Sequence, residues 1–467
     1  MQTAYSRRRA GRTPRYKRPQ PQEQALTISP FMIWLAAGLA LFVLSSSLFY
    51  LSWNRMPERI QYMPRVIESR LFPTRPHDAY VAAPTTNASP EEALQQLSLE
   101  GLAAADAVPT APAQSDQSVA AAPSGGSSEV AATDKSAAVE VTVDAAPHAQ
   151  EQAAPVAAFL PAAPAATLQG VRHEAQGWNN CGPTTLAMNL SYYGRTETQR
   201  QTAPFLKPDP DDKNVSPHEM VAYAQSIGYG GQVVVGGDLA LLRTLVTNGI
   251  PVMVETWYIP EPNDEMGHYL LLTGYNGEQF TFQDSYKGPN VQKDSAHFDE
   301  LWKVFNRTAI VVWPPEKGEL IAAILGDRAD EQTMYQKALQ VAHDEVNANP
   351  QDKFAWFNLG TNLEALGQAQ DAAHAYDIAR SLQLPWRMLW YQFGPYATYY
   401  DVGNYDEVIN LANATLTGGG NLEESYFWRG KALAALGRND EARRDFQQAV
   451  KLNANYTEAQ QALAALN

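Results

Sequence analysis

Gly360, Gly394 and Gly430 follow one another at intervals of 34 and 36 residues, and the small and large side chains around them recur in step. Leu363, Gly367, Ala372, Tyr376 and Ala379 in the first copy correspond to Leu433, Gly437, Ala442, Phe446 and Ala449 in the last. A period of this length belongs to stacked helical hairpins, because one hairpin cannot bury its apolar stripe alone and needs the next to cover it. Residues 330–467 are therefore expected to form an all-α solenoid, with a leading helix at 331–346 and a closing one at 456–466. The middle copy is irregular: Ala397 stands where Leu363 would fall, and two extra residues enter around 401–405.

The other end of the chain is constrained by charge. Seven Arg and Lys residues fall within the first twenty positions, with no acid before Glu23, so the formal charge of −15 conceals a body of about −22. Such an acidic body excludes wrapping nucleic acid or coating an anionic bilayer, since both need clustered Lys and Arg. After the basic tail at 1–30 comes 31-FMIWLAAGLALFVLSSSLFYLSW-53, free of charge and long enough to cross about 30 Å of hydrocarbon. It is expected to be a single transmembrane helix in the cell membrane, with the basic flank cytoplasmic and the C-terminal body extracellular. A cleaved secretory signal is the alternative, but the apolar stretch exceeds a signal core and no small-x-small site follows at once.

From 54 to 167 the sequence turns to Ala, Pro, Ser and Thr, as in 119-VAAAPSGGSSEVAATDKSAAVE-140. It reads as a disordered linker, a tether with room for one short helix around 90–102. Branched and aromatic residues return over 168–315. Helices are expected at 181–194, 217–228 and 238–249, then strands at 251–257, 268–275, 279–284 and 308–313, which makes an α+β domain.

Cys181, in 176-QGWNNCGPTTLAMNL-190, is the sole cysteine of 467 residues, so an internal disulfide is excluded. It stands where a helix begins, ahead of Gly182 and Pro183, and free N–H groups there favour a thiolate. His268 opens an apolar strand, and Asp284 lies 16 residues on, the length of a strand, a turn and a returning strand. Cys181, His268 and Asp284 are the candidate nucleophile, base and orienter, and Gln176 a candidate oxyanion donor. Rival readings are an inert buried Cys181 and His173 as the base or a cleft residue; His218 and His297 read as surface residues. Trp178 and Trp257 are candidate cleft residues or core. The acidic loop 209-DPDDKN-214 reads as a solvated turn rather than a calcium loop, and neither HExxH nor paired cysteines suggest zinc.

Gln176 with Cys-Gly-Pro, then Gly-His-Tyr on a strand, then Asp284 before Ser285-Tyr286, resembles the papain-like cysteine peptidases of the bacteriocin-processing type, family thirty-nine of the cysteine class, in its stand-alone form. The repeats resemble tetratricopeptide repeats. Those resemblances imply a papain-like peptidase fold followed by a protein-binding solenoid: a membrane-anchored cysteine peptidase using no cofactor or metal, acting on a peptide or protein substrate, with a protein partner on the repeats. A non-catalytic cell-surface adaptor, or an amidase or acyl transferase with the same triad, are the alternatives.

Overall fold

The computed structural model describes residues 63–64, 67, 80–84, 89–97, 158–259, 265–418 and 421–466. The basic tail and the expected span at 31–53 lie outside these residues. Among the described residues no helix is long and apolar enough to cross a membrane.

In chain order the elements are α1 (Pro90–Gln96), β1 (Ala165–Thr167), α2 (Cys181–Tyr192), α3 (Gln199–Leu206), α4 (Pro217–Ser226), β2 (Gly230–Val234), α5 (Leu239–Thr247), β3 (Val252–Tyr258), β4 (Met266–Asn276), β5 (Gln279–Asp284), β6 (Gly288–Asp294), α6 (Ser295–Lys303) and β7 (Ala309–Trp313). The helical part follows: α7 (Gly318–Leu325), α8 (Glu331–Ala348), α9 (Lys353–Ala365), α10 (Ala369–Ser381), α11 (Gly394–Asp401), α12 (Tyr405–Gly418), α13 (Glu423–Ala435), α14 (Asn439–Leu452) and α15 (Thr457–Ala465). A 3₁₀ turn at Trp386–Trp390 joins α10 to α11.

The strands form one antiparallel sheet in the order β2-β7-β3-β4-β5-β6, with β1 paired to the end of β4 beyond the reach of β3. Alternate residues serve the two faces, as the two-residue period of a strand requires. Met253, Tyr269, Leu271, Ile310 and Val312 pack on Leu186, Met188 and Leu190 of α2 and on Met220 and Ala224 of α4. On the opposite face Val252, Val254, Leu270, Leu272 and Phe282 pack on Leu241, Leu242 and Leu245 of α5 and on Phe298 and Trp302 of α6.

Local chemistry explains most boundaries. Ser216 and Glu219 form a reciprocal capping box at the start of α4, with Pro217 as its first residue. After α2, Gly194 takes φ +81 and closes the last turn by bonding back to Ser191, the stop its position suggested. Three strands were not announced by the sequence: the three-residue β1, and β2 with GGQVV and β6 with GPNVQKD, which are the two edges of the sheet. Edge strands bury little on either face, so no apolar alternation marks them. Helix α3 (QRQTAPFL) was also unannounced. A polar sequence with Pro204 inside it carries weak periodicity, and its start is fixed by the Thr198 and Gln201 capping box.

In the repeats, a β-carbon on Gly360 would come within 2.9 Å of the Tyr376 ring, and one on Gly430 within 2.7 Å of Phe446. The glycine and the aromatic sixteen residues later are thus one packing unit, which is why they recur together. The first helix of the middle copy is shortened to the eight residues of α11, preceded by the 3₁₀ turn.

The stretch expected as tether is not uniformly without structure. Val81 N–H donates to Leu384 O at 2.8 Å, Arg380 Nε donates to Ala82 O at 2.8 Å, and Ala93 of α1 is buried among repeat residues. Val81, Ala93 and Leu97 supply the apolar contacts that hold it on the repeats. Nor do the sheet and the repeats keep separate cores. Trp257, Val304 and Phe305 share one cluster with Phe357, Tyr376 and Leu389, and Met334 and Ala338 of α8 close the sheet's own core.

Candidate active site

Helix α2 is buried from Gly182 to Ser191, so its first residue, Cys181, sits at the top of a helix that cannot shift without disturbing the core. Gly182 has a packing role here: a β-carbon would meet Val215 at 3.1 Å and Tyr269 at 3.4 Å. The space beside it is thus taken by protein.

His268 lies on β4 opposite Thr256 of β3, whose hydroxyl donates to the His268 carbonyl at 3.1 Å. Its Nε2 is 2.9 Å from Asp284 Oδ1, and the ring lies near enough to the Cys181 thiol for each to stabilise the other's charge. The same Oδ1 accepts from the backbone N–H groups of Tyr286 at 2.8 Å and Lys287 at 3.0 Å. Residues 181, 268 and 284 are therefore brought together, the last two by a hydrogen bond and the first two by their charges.

A β-bulge makes this possible. Near the turn, Asn276 pairs with Gln279 and Gly274 with Thr281; past Thr273 the register shifts, and Leu271 pairs with Gln283. Continuing the shifted register brings Asp284 level with Leu270, on the face that also carries His268. Without the extra residue Asp284 would stand level with Leu271 and point to the other face, since a one-residue slip reverses every side chain. Gln283 Nε2 donates to Thr273 Oγ1 at 3.2 Å across the irregularity, and both residues are buried.

Burial opposes charge on all three members, and their mutual bonds outweigh it. Asp284 is held down at about 2: burial pushes its carboxyl up, but the His268 ring and the two backbone N–H groups pull further the other way. His268 is raised to about 9 against the effect of burial by its bond to Asp284 and by the neighbouring Cys181 thiolate. The thiol is lowered below its ordinary value in spite of burial, through His268 first and then Tyr269 and Lys207. An ionised thiol beside a protonated imidazole is the arrangement these directions describe.

The N–H of Gln176 donates to Ser285 O at 2.9 Å, and its side-chain carbonyl accepts from Ser285 Oγ at 2.8 Å. With that oxygen engaged, the amide nitrogen is the free end of the side chain. His173 Nε2 is 3.0 Å from the Asp284 backbone carbonyl, so the rival base is engaged with the backbone of Asp284. His218 and His297 are exposed. Trp178 is half-buried, and Trp257 is buried against Phe305 and the repeat residues Phe354 and Tyr391. A pocket of about 220 Å³ beside His268 and Asp284 is bordered by Thr256, Tyr258, Lys287 and His297. The loop 209–214 departs from the solvated turn expected of it. Asp212 is only 3% exposed, and Asn214 Nδ2 donates to Glu424 Oε1 of α13 at 3.1 Å, because the repeats cover it. Among the described residues no group of three or more His, Cys, Asp or Glu side chains is placed to hold a metal ion.

Three buried polar residues around Cys181 carried no sequence signal. Glu255 is 4% exposed, and burial keeps its carboxyl well above the usual carboxylate range, reinforced by the nearby Cys181 charge. Lys207 is 3% exposed. Gln199 accepts from the Gly177 N–H at 2.7 Å and from Asn180 Nδ2 at 3.0 Å, and donates to Glu174 at 3.0 Å and to the Ala175 carbonyl at 2.8 Å. Its one side chain thus ties four successive parts of the loop before the thiol. Gln199→Leu is expected to destabilise the protein by about 2–4 kcal/mol, as several buried polar groups lose their partner together. Chemical denaturation would measure it; an unchanged midpoint would show that the loop is held by other means.

Residues 168–310 match the Peptidase_C39 like family, and residues 423–456 match the Tetratricopeptide repeat. The uncharacterized protein YvpB of Bacillus subtilis (strain 168) is 26% identical over 173 residues, which are 29% of this chain and 69% of that protein. A C39-like peptidase from Bacillus anthracis is similar at 19% identity and TM-score 0.27, over 32% of this chain and 96% of the other. A double glycine motif protease from an AMS/PCAT transporter, solved with its leader peptide, is similar at 19% identity and TM-score 0.26, over 32% and 94%. The chain thus carries a C39-like peptidase domain and a C-terminal tetratricopeptide repeat region.

Proposed function

We propose that the protein is a cysteine peptidase held at the cell membrane by residues 31–53, with its catalytic and repeat regions exported. The observation that carries the catalytic part is the hydrogen bond of His268 to Asp284, with the Cys181 thiol close enough to the same ring to be lowered by it. In this reading the Cys181 thiolate attacks the carbonyl carbon of a peptide bond. His268, protonated at Nδ1, gives that proton to the leaving amine. Asp284 keeps Nε2–H directed at itself, so that Nδ1 faces the sulfur throughout. The Gln176 amide and the Cys181 backbone N–H would receive the developing oxyanion. Water then hydrolyses the thioester, with His268 as the base. The repeats bind a protein, which is either the substrate or a partner that brings it. Membrane attachment and export rest on the uncharged run and its basic flank alone.

The test is a digest of a peptide library by the purified exported region, with and without an E-64-type epoxide. Cleavage that the epoxide stops, with one equivalent bound at Cys181, is the expected result. A protein that cleaves nothing and whose thiol ignores the epoxide would be an adaptor with a peptidase-like fold.

A further inference from the structure

Helix α3 begins beside the thiol loop with Gln199 and ends beside it with Lys207, its C-terminal cap. Lys207 Nζ donates to the Asn179 carbonyl at 3.1 Å and to the Asp212 carbonyl at 3.0 Å, while Asn179 Nδ2 donates to that same Asp212 carbonyl at 3.2 Å. Asn179 itself has φ +53, a left-handed conformation that asparagine adopts more readily than most non-glycine residues. Two residues later comes Cys181. A lysine ammonium taken out of water is costly, and an apolar side chain of the same length would fill this space more cheaply. Two carbonyls alone do not offset that cost; the negative charges facing the ammonium are those of Asp212, Cys181 and Asp209, with Lys213 opposing them.

We propose that Lys207 is a positioning residue for the nucleophile: its buried ammonium pins the Asn179 turn that leads into Cys181 and supplies a fixed positive charge near the sulfur. It touches neither substrate nor the reacting atoms. It acts through the loop, whose orientation sets where the Cys181 N–H points, and through the field at the thiolate. His268 and Lys207 then share the stabilisation of one negative charge, and the thiolate persists when the imidazole gives up its proton. The inference deepens the peptidase reading, since it takes Cys181 as the nucleophile.

The experiment is the rate of iodoacetamide alkylation of Cys181 against pH in the full exported region. Lys207→Met is expected to move the midpoint upward by about one pH unit, which slows alkylation on the acid limb roughly tenfold. Lys207→Arg is expected to restore part of the shift, and Lys213→Met to leave the profile as in the wild type. A folded Lys207→Met protein with an unmoved profile would overturn the proposal. Should that variant not fold, the influence is read in the reverse direction, since coupling between two charges is reciprocal. Burial and its neighbours place Lys207 at about 8, within reach of titration by lysine side-chain NMR. Its midpoint is expected to fall in Cys181→Ser, and an identical midpoint in both proteins would be equally fatal. Alkylation needs no peptide cleavage. Fast, Lys207-dependent alkylation in a chain that cleaves nothing would overturn the peptidase reading and leave this one standing.

Discussion

Cys181→Ala is expected to reduce peptide hydrolysis by residues 54–467 at least a thousandfold while leaving their thermal unfolding within a degree or two of the wild type. The large loss follows from the absence of any second thiol in the sequence and from the role of the sulfur as the atom that forms the covalent bond. Folding should survive because Cys181 is the half-exposed first residue of α2, whereas the residues that bury that helix begin at Gly182. Asp284→Ala should cost less, about tenfold to a hundredfold, since the Cys181 thiol and the His268 ring both remain, and Gln176→Ala should lower kcat with little change in KM. Hydrolysis by Cys181→Ala at the wild-type rate would remove the enzyme reading.

The second large effect is a loss of stability as the solution passes from mildly acidic to neutral. Where the repeats meet the catalytic region, four carboxyl groups approach one another out of water: Asp212 and Glu219 from one side, Glu423 and Glu424 of α13 from the other. Asn453 Nδ2 bridges Glu219 at 3.2 Å and Glu423 at 2.9 Å. Glu423 Oε2 and Glu424 Oε2 are buried without a hydrogen-bond partner. Burial first, and mutual repulsion after it, raise all four, Glu423 to about 7. Asp209, Glu458 and Tyr456 add negative or neutral groups to this seam, and Lys207 faces it through Asp212.

Between the unfolded value of about 4.3 and the folded value, the native state binds more protons than the unfolded one. Stability therefore falls as pH rises through that window and levels off above it. For Glu423 alone the change across the whole window amounts to roughly 3–4 kcal/mol. His268, raised to about 9, extends the decline beyond neutrality, whereas Asp284, held at about 2, contributes nothing above pH 5. Denaturant melts between pH 5 and 7.5 should show the decline, and Glu423→Gln should flatten it. A flat profile in the wild type would mean that the seam admits water.

The repeat region was legible because a glycine and an aromatic must meet in each hairpin, and that requirement prints itself on the sequence as Gly360 with Tyr376 and Gly430 with Phe446. Cys181 at a helix start and His268 on a strand were equally legible, since turn and capping chemistry are local. The nearness of Asp284 to His268 could be anticipated from the hairpin's length, but the face could not. A two-residue turn and an unbroken register would have sent the carboxylate to the wrong side, and only the bulge at Thr273, held by Gln283, corrects it.

What the sequence determined by itself is the part governed by short-range periodicity: helical hairpins, the central strands, and a thiol at a helix N-terminus. What only the tertiary structure decided is which polar side chains were taken out of water. Lys207, Gln199, Glu255 and the four seam carboxyls read as surface residues one at a time. They are buried because α3, β3 and the repeats close over them from places far apart in the chain, and no local pattern records a neighbour that arrives from two hundred residues away.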